Sequence, residues 1–404
     1  MKVLVVDKFP DAAILKMREQ GFVVAYNADL KGDALLEEVR RSEADALVVR
    51  STKVPEAMME GGRLSLIVRA GSGFDNVDVK AASRRGIYVS NCPGKNATAV
   101  AELAFGLILA LDRRIADNVS QLRERKWNKK EFSVARGLYG RTLGVLGCGT
   151  IGKLVIERAH AFGMPVVAWS RSLTTEMAQE LGVERKSRPE EVAAAADVVS
   201  VHLPLAAETK GLCGSTFFQA MRPGAYFINT SRGEVVDQGA LRKALDERNI
   251  RAGLDVFAKE PATATGAFED DIASHPNVYG THHIGASTEQ AQDAIADETV
   301  RILREYRDTG RVPNVVNLCA RSPATHLLVV RHHDRVGVLA HVLTGLRGAG
   351  VNVQEMENVV FDGAEAAIAR IHLDRAPPEA VLSEIKAGNS DIMELNMLSL
   401  SRPS

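Results

Sequence analysis

Short apolar runs alternate with amphipathic stretches along the first ninety residues. "KVLVVD", "FVVAY", "DALVVR" and "LSLIVRA" are short and valine-rich, which predicts buried strands. Helical patterns such as "ALLEEVRR" fall between them. Strand–helix alternation predicts a parallel sheet covered on both faces. A long helix is expected over Ala97–Arg125. A second alternating block follows, "TLGVLG", "PVVAWS", "DVVSVHLP", "AYFINTS", "AGLDVF" and "NVYGTHHIG", and predicts a second parallel sheet. Another long helix is expected over about Glu289–Asp308, and "TGRVPNVVN" reads as a linker. The remaining segment changes character to β-α-β-β-α-β, the ferredoxin-like split pattern.

A chain of 404 residues is too long for one ordinary domain, so two or three are expected. With 46% hydrophobic residues, 25% charged and a net charge of −1, it has no bulk attraction for nucleic acid or an acidic membrane, and neither partner is expected. Anionic ligands must then be met by local arginines and lysines. Asp7 interrupts the N-terminal apolar run, which argues against a signal peptide. The longest apolar stretch, "ATAVAELAFGLILAL", is broken by Glu102 and too short to span a bilayer. The scattered cysteines Cys92, Cys148, Cys213 and Cys319 predict neither disulfides nor zinc and fit a reducing cytoplasm.

Gly147, Gly149 and Gly152 have G-x-G-x-x-G spacing, after a predicted strand and opening a predicted helix. That context is the one a dinucleotide fold requires. The first glycine makes the turn, the second admits the pyrophosphate and the third packs helix on strand, with the helix N-terminus meeting the phosphates. The chain is therefore expected to be α/β, with two Rossmann-like parallel-sheet domains and a ferredoxin-like domain behind them. The next strand ends in Ser170-Arg171, where such folds usually hold an acid for the adenosine ribose. Two readings stay open: Arg171 meets a 2′-phosphate, or it is a solvated charge and NAD is held by other contacts.

Arg232 in "INTSRGEVVD", Asp255 and Glu260 in "GLDVFAKEP", and His283 in "GTHHIGAST" follow the ends of predicted strands, where open α/β sheets bind ligands. His282 and His283 are adjacent, and neighbours in an extended stretch point apart, so a shared metal is a poor reading. Together the residues suit hydride transfer at a 2-hydroxy acid. The arginine grips a carboxylate with two parallel bonds. The histidine takes the hydroxyl proton, and a carboxylate behind it orients it.

These motifs resemble the D-isomer-specific 2-hydroxy-acid dehydrogenases over about the first 315 residues: the G-x-G-x-I-G loop, Ser-Arg-Gly, Asp-Val-Phe…Glu-Pro, and His283-Ile-Gly in a segment where the family usually has Pro at position 282. The resemblance implies that Arg232 binds substrate, that Glu260 pairs with His283, and that His283 is the acid/base. It implies cofactor contacts from Thr150, Ile151, His202, Pro204, Thr209, Thr230, Asp255 and Gly285 beside the glycines. It also implies a substrate domain of residues 1–95 and 288–317, with a cofactor domain of residues 96–287 between.

"VRAGSGFDNVD", "NCPGKNATAVAEL" and "KWNKKEF" are similar to the 3-phosphoglycerate-oxidising branch of that family. This implies Arg50, Ser51, Arg69, Gly71, Ser72, Gly73 and Asn96 at the substrate; Lys129 matches a further such position but reads as a surface charge. "VRSTKVP" is one residue shorter than the family's segment. Residues 325–404 resemble an ACT regulatory domain, which implies a serine site at a subunit interface using His332, Asp334 and Asn352. Asp334 stands where Asn is usual, and would repel a carboxylate. A homodimer or homotetramer is expected. The alternatives are an NADPH-preferring glyoxylate/hydroxypyruvate reductase, favoured by Ser170-Arg171, and an NAD(H)-sensing scaffold.

Overall fold

The computed structural model describes residues 1–30, 32–60, 62–261, 265–319 and 322–400. The last four positions of the expected third domain lie outside them. The chain forms two compact units, residues 1–317 and 318–404.

The first unit holds two sheets. In one, β1 (Lys2–Val5), β2 (Val23–Tyr26), β3 (Ala46–Val49), β4 (Leu66–Arg69) and β5 (Tyr88–Asn91) pair in parallel in the order β2-β1-β3-β4-β5. In the other, β6 (Leu143–Leu146), β7 (Val166–Trp169), β8 (Glu184–Arg185), β9 (Val198–Val201), β10 (Tyr226–Asn229), β11 (Arg251–Leu254) and β12 (Val278–Gly280) are also parallel. Their order is β12-β11-β10-β9-β6-β7-β8. Both orders reverse once, between β1 and β3 and between β6 and β9, and ligands of doubly wound sheets sit at such reversals. The valine runs of β1, β3, β4, β6, β7 and β9 are buried because helices cover both faces, and four apolar clusters form the cores. The run in β2, expected to be buried, lies at the sheet edge with Val23 exposed.

The helix Glu289–Thr309 packs Ile295, Ala296, Val300, Ile302 and Leu303 against the first sheet. The helix Ala97–Arg113 packs Ala101, Ala104, Leu107 and Ile108 against the second. Two expectations change. The helix expected over Ala97–Arg125 breaks at Arg114, which adopts a left-handed conformation (φ 50°) before a second helix, Ile115–Arg123. The apolar stripe ends at Leu111, and Arg114 instead pairs with Asp117 and Glu131 and lies over the Phe132 ring. The linker "TGRVPNVVN" is not free. Val315 bridges Ser90, the Val316 N–H donates to the Val89 carbonyl, and the Val89 N–H donates to Asn317 Oδ1.

The second unit is antiparallel. β13 (His326–His333), β14 (Val353–Val360), β15 (Ala366–Leu373) and β16 (Ile392–Ser399) pair in the order β14-β15-β13-β16. The helices Val338–Gly348 and Glu379–Ala387 share its core through Val342, Leu346 and Ile385. No helix among the described residues is long and apolar enough to cross a membrane.

Candidate active site

His283 lies three residues beyond β12, and its backbone is left-handed (φ 51°). A bulky residue adopts that conformation only when its surroundings hold it there. Asp255, buried just past β11, does the holding. Its carboxylate accepts from Thr281 Oγ1 (2.6 Å) and from the N–H groups of Ile284 and Gly285 (both 2.8 Å). Its own carbonyl accepts from the His283 N–H at 2.9 Å. Asp255 and Gly285 thus shape the histidine loop, and the Gly285 N–H is committed to that carboxylate.

His283 Nδ1 meets Glu260 Oε2 at 2.7 Å, and Glu260 Oε1 accepts from the Phe257 N–H at 2.9 Å. Burial works to raise the Glu260 pKa. The bonds from His283 and Phe257 and the positive charge of Arg232 outweigh it, so the carboxyl sits below the usual range. An ionised Glu260 selects the ring tautomer with its proton on Nδ1, which leaves the Nε2 lone pair facing outward. His282 is exposed and takes no part in this pair.

Arg232 follows β10. Its Nε donates to Asp75 Oδ2 at 2.9 Å and its Nη1 to the Ser231 carbonyl at 2.7 Å. Asp75 belongs to the glycine loop after β4, so this pair joins loops from the two sheets of the first unit. A Cβ at Gly73 would run into the Arg232 guanidinium, and one at Gly71 into that of Arg69. The loop can pass beneath both arginines only because these residues lack side chains. Ser72 Oγ donates to Asn96 Oδ1 at 2.7 Å, and Asn91 Nδ2 donates to the Ser72 carbonyl at 2.6 Å.

The shortened segment after β3 is organised by Asp7, which accepts from the N–H groups of Arg50, Ser51 and Thr52 at 2.6 to 3.1 Å. Arg50 thereby faces Arg69. Burial, then the charges of Arg232 and Arg50, push the Arg69 guanidinium down to about 10. Its Nε is buried without a hydrogen-bond partner. Three cations thus converge with Asp75 among them, an arrangement that suits an anion of more than one charge. Lys129 sits exposed on a short helix, Lys129–Phe132, and joins no part of this cluster.

The second sheet's reversal carries the glycine loop. Gly147 is left-handed (φ 98°), and a Cβ there would strike the His202 carbonyl. A Cβ on Gly152 would strike the Gly147 carbonyl, whereas Gly149 faces open space. The helix Thr150–Ala161 starts at Gly149 with no side chain capping it, and Ile151 lies in its first turn. Just past β9 and β10, His202 Nδ1 and Thr230 Oγ1 are buried without partners. Burial lowers the His202 pKa to about 4, so the ring is neutral near pH 7. Open space at the glycine turn, free N–H groups and two orphaned polar atoms fit a dinucleotide. Ser170 follows β7, and Arg171 is exposed with Glu208 at 3.8 Å.

Thr209 is buried, its hydroxyl donating to the Pro204 carbonyl (2.6 Å) and accepting from the Ala206 N–H (2.8 Å). It shapes the loop that carries the exposed Pro204. The residues expected at a serine site lie apart in the second unit. His332 is buried, with Nδ1 on the His333 carbonyl (2.7 Å) and Nε2 on Asn358 Oδ1 (3.2 Å). His326 and Val353 both oppose Leu373, whereas His332 and Val360 both oppose Ala367. Asn352 bonds Asp374 at one end of β15 and Asp334 bonds Glu365 at the other, so they are about 30 Å apart at the rise of a strand. Within one chain these three residues do not meet.

Comparison with known proteins agrees with this geometry. The NAD-binding domain of the D-isomer-specific 2-hydroxyacid dehydrogenases matches residues 105–285. A glyoxylate reductase of Thermococcus litoralis is 38% identical over 78% of this chain and 96% of its own length. The chain belongs to the D-isomer-specific 2-hydroxyacid dehydrogenase family. A D-3-phosphoglycerate dehydrogenase of Methanocaldococcus jannaschii is 39% identical over 79% of this chain, which spans only 60% of that relative's length. One from Mycobacterium tuberculosis is 38% identical over 95% of this chain and 71% of its own length.

Within this dehydrogenase, sequence reasoning missed Asp7 and Asp75. Asp7 was visible only as the residue that interrupts an apolar run, yet an acid at the end of β1 can cap the neighbouring loop. Asp75 was hidden inside a glycine segment read for its backbone.

Proposed function

We propose that the chain oxidises 3-phospho-D-glycerate to 3-phosphohydroxypyruvate with NAD. The observation that carries this reading is the convergence of Arg50, Arg69 and Arg232 beside the His283–Glu260 pair, with Arg69 Nε buried and unpaired. Arg232 grips the substrate carboxylate, and Arg69 with Arg50 takes the phosphate. His283 Nε2 removes the hydroxyl proton as C2 gives up its hydride, and Glu260 stabilises the imidazolium that forms. NAD, when bound, accepts that hydride. Gly147, Gly149 and the helix start at Thr150 hold its pyrophosphate, with His202, Pro204 and Thr230 along the strand ends. The products are a 2-keto acid, reduced nicotinamide and the proton on His283.

A substrate domain of residues 1–95 and 288–317 and a cofactor domain of residues 96–287 fit this division of labour. The four-stranded antiparallel sheet with two helices supports reading the second unit as an ACT-type regulatory domain. A serine site using both Asp334 and Asn352 then needs two chains. Ile115, Val119, Leu122, Trp127, Val134 and Tyr139 are all exposed in one segment of the first unit, which suits burial against a second copy. Cys92, Cys148 and Cys213 are buried and unpaired, which suits a reducing cytoplasm.

The exposed Arg171 favours a second reading, an NADPH-dependent reductase of glyoxylate or hydroxypyruvate. Initial rates decide between them: 3-phosphoglycerate with NAD⁺ and NADP⁺, and both keto acids with NADH and NADPH, each with and without millimolar L-serine. Oxidation of 3-phosphoglycerate is expected to dominate. Turnover confined to the unphosphorylated keto acids would replace this reading with the reductase, and rates indifferent to serine would remove the effector.

A further inference from the structure

An acid stands inside the cationic site. Asp75 lies on the loop that crosses beneath Arg69 and Arg232 and is about half exposed. A carboxylate there opposes an anionic substrate, so its presence requires another use. The Arg232 contacts provide one. A guanidinium offers its N–H groups along a side edge, from Nε and Nη2, and an end edge, from Nη1 and Nη2. Asp75 takes Nε at 2.9 Å and the Ser231 carbonyl takes one N–H of Nη1 at 2.7 Å. Nη2 lies over Gly73, where the missing Cβ leaves it room. Among the described residues, one N–H on Nη1 and both on Nη2 remain, and one from each nitrogen is what a carboxylate needs for two parallel bonds.

We infer that Asp75 is a positioning residue, holding Arg232 from the opposite loop so that only the end edge of its guanidinium meets the substrate carboxylate. The inference rests on the proposed role of Arg232. It separates Asp75 from the arginines around it. They strengthen substrate binding, whereas Asp75 weakens binding and improves the geometry of the reacting complex.

Four variants test it: Asp75→Ala, Asp75→Asn, Arg232→Lys and the double variant Asp75→Ala/Arg232→Lys. For each, steady-state kinetics with the phosphorylated hydroxy acid and with NAD give kcat and a Michaelis constant for each substrate, and a melting temperature is taken alongside. Asp75→Ala should lower kcat by about 10- to 100-fold, the scale of a misplaced binding group. The Michaelis constant for the hydroxy acid should stay level or fall, and that for NAD should not move. Asp75→Asn should recover most of kcat, since its amide oxygen still accepts from Nε. Lysine has no Nε–H to hold, so Asp75→Ala should cost nothing further in the Arg232→Lys background. Wild-type kcat in Asp75→Ala, a raised Michaelis constant with kcat intact, or a full additional loss in the double variant would each overturn the inference while leaving the proposed reaction standing. A wild-type protein that turns over no 2-hydroxy acid would remove both.

Discussion

Replacing His283 with alanine is expected to cut kcat for hydroxy-acid oxidation by about 10²- to 10⁴-fold, the usual worth of a positioned general base. The glycine turn and the strand ends that receive NAD contain none of the altered atoms, so cofactor affinity should persist. Alanine also inherits a left-handed backbone (φ 51°) that suits it poorly, and the loop could move. His283→Asn answers that objection, because asparagine tolerates the conformation and supplies no base. Both variants should be equally inactive, and substantial turnover in either would remove His283 from the reaction. Glu260→Gln tests the partner. Against its burial, the bonds from His283 and Phe257 hold the Glu260 carboxyl below the usual range, and glutamine removes the charge that orients the ring and stabilises the imidazolium formed in the reaction. kcat should fall while the Michaelis constant for NAD holds. An unchanged kcat would show that Glu260 does not govern the ring.

The strands were legible because their signal is local. Runs such as "KVLVVD" and "DVVSVHLP" carry enough valine to declare themselves, and glycine spacing after β6 marks the reversal of the second sheet. Arg232, Glu260 and His283 were legible as a set because each trails a strand. What stayed hidden depends on partners far along the chain. Nothing near Arg114 announces a helix break, since the reward lies in Glu131 and Phe132. "TGRVPNVVN" looks like a linker because its hydrogen bonds are made to Val89 and Asn91, more than two hundred residues earlier. Nor does one dimension show that Thr209 and His332 are buried and hydrogen-bonded internally, which is a tertiary fact.

Arg69→Met is expected to separate function from stability. Methionine fills similar space without charge, so packing is largely kept. A phosphate that loses a charge-assisted partner forfeits roughly 1.5–3 kcal/mol per bond, about 10- to 100-fold or more in kcat/KM with the phosphorylated acid. The phosphate is remote from the reacting carbon and is held alike before and during hydride transfer. The loss should therefore fall mainly on the Michaelis constant. D-glycerate, which has no phosphate, should lose little. Stability should move the other way. Arg69 is desolvated, its Nε is unpaired, and Arg232 and Arg50 repel it. Only Asp75 and more distant groups offset that cost, so the substrate-free Met variant should melt at or above the wild-type temperature. Three converging cations are a strain of the kind functional sites often carry. A variant that melts lower and loses both substrates equally would instead make Arg69 a structural residue, and the phosphate would need a different home.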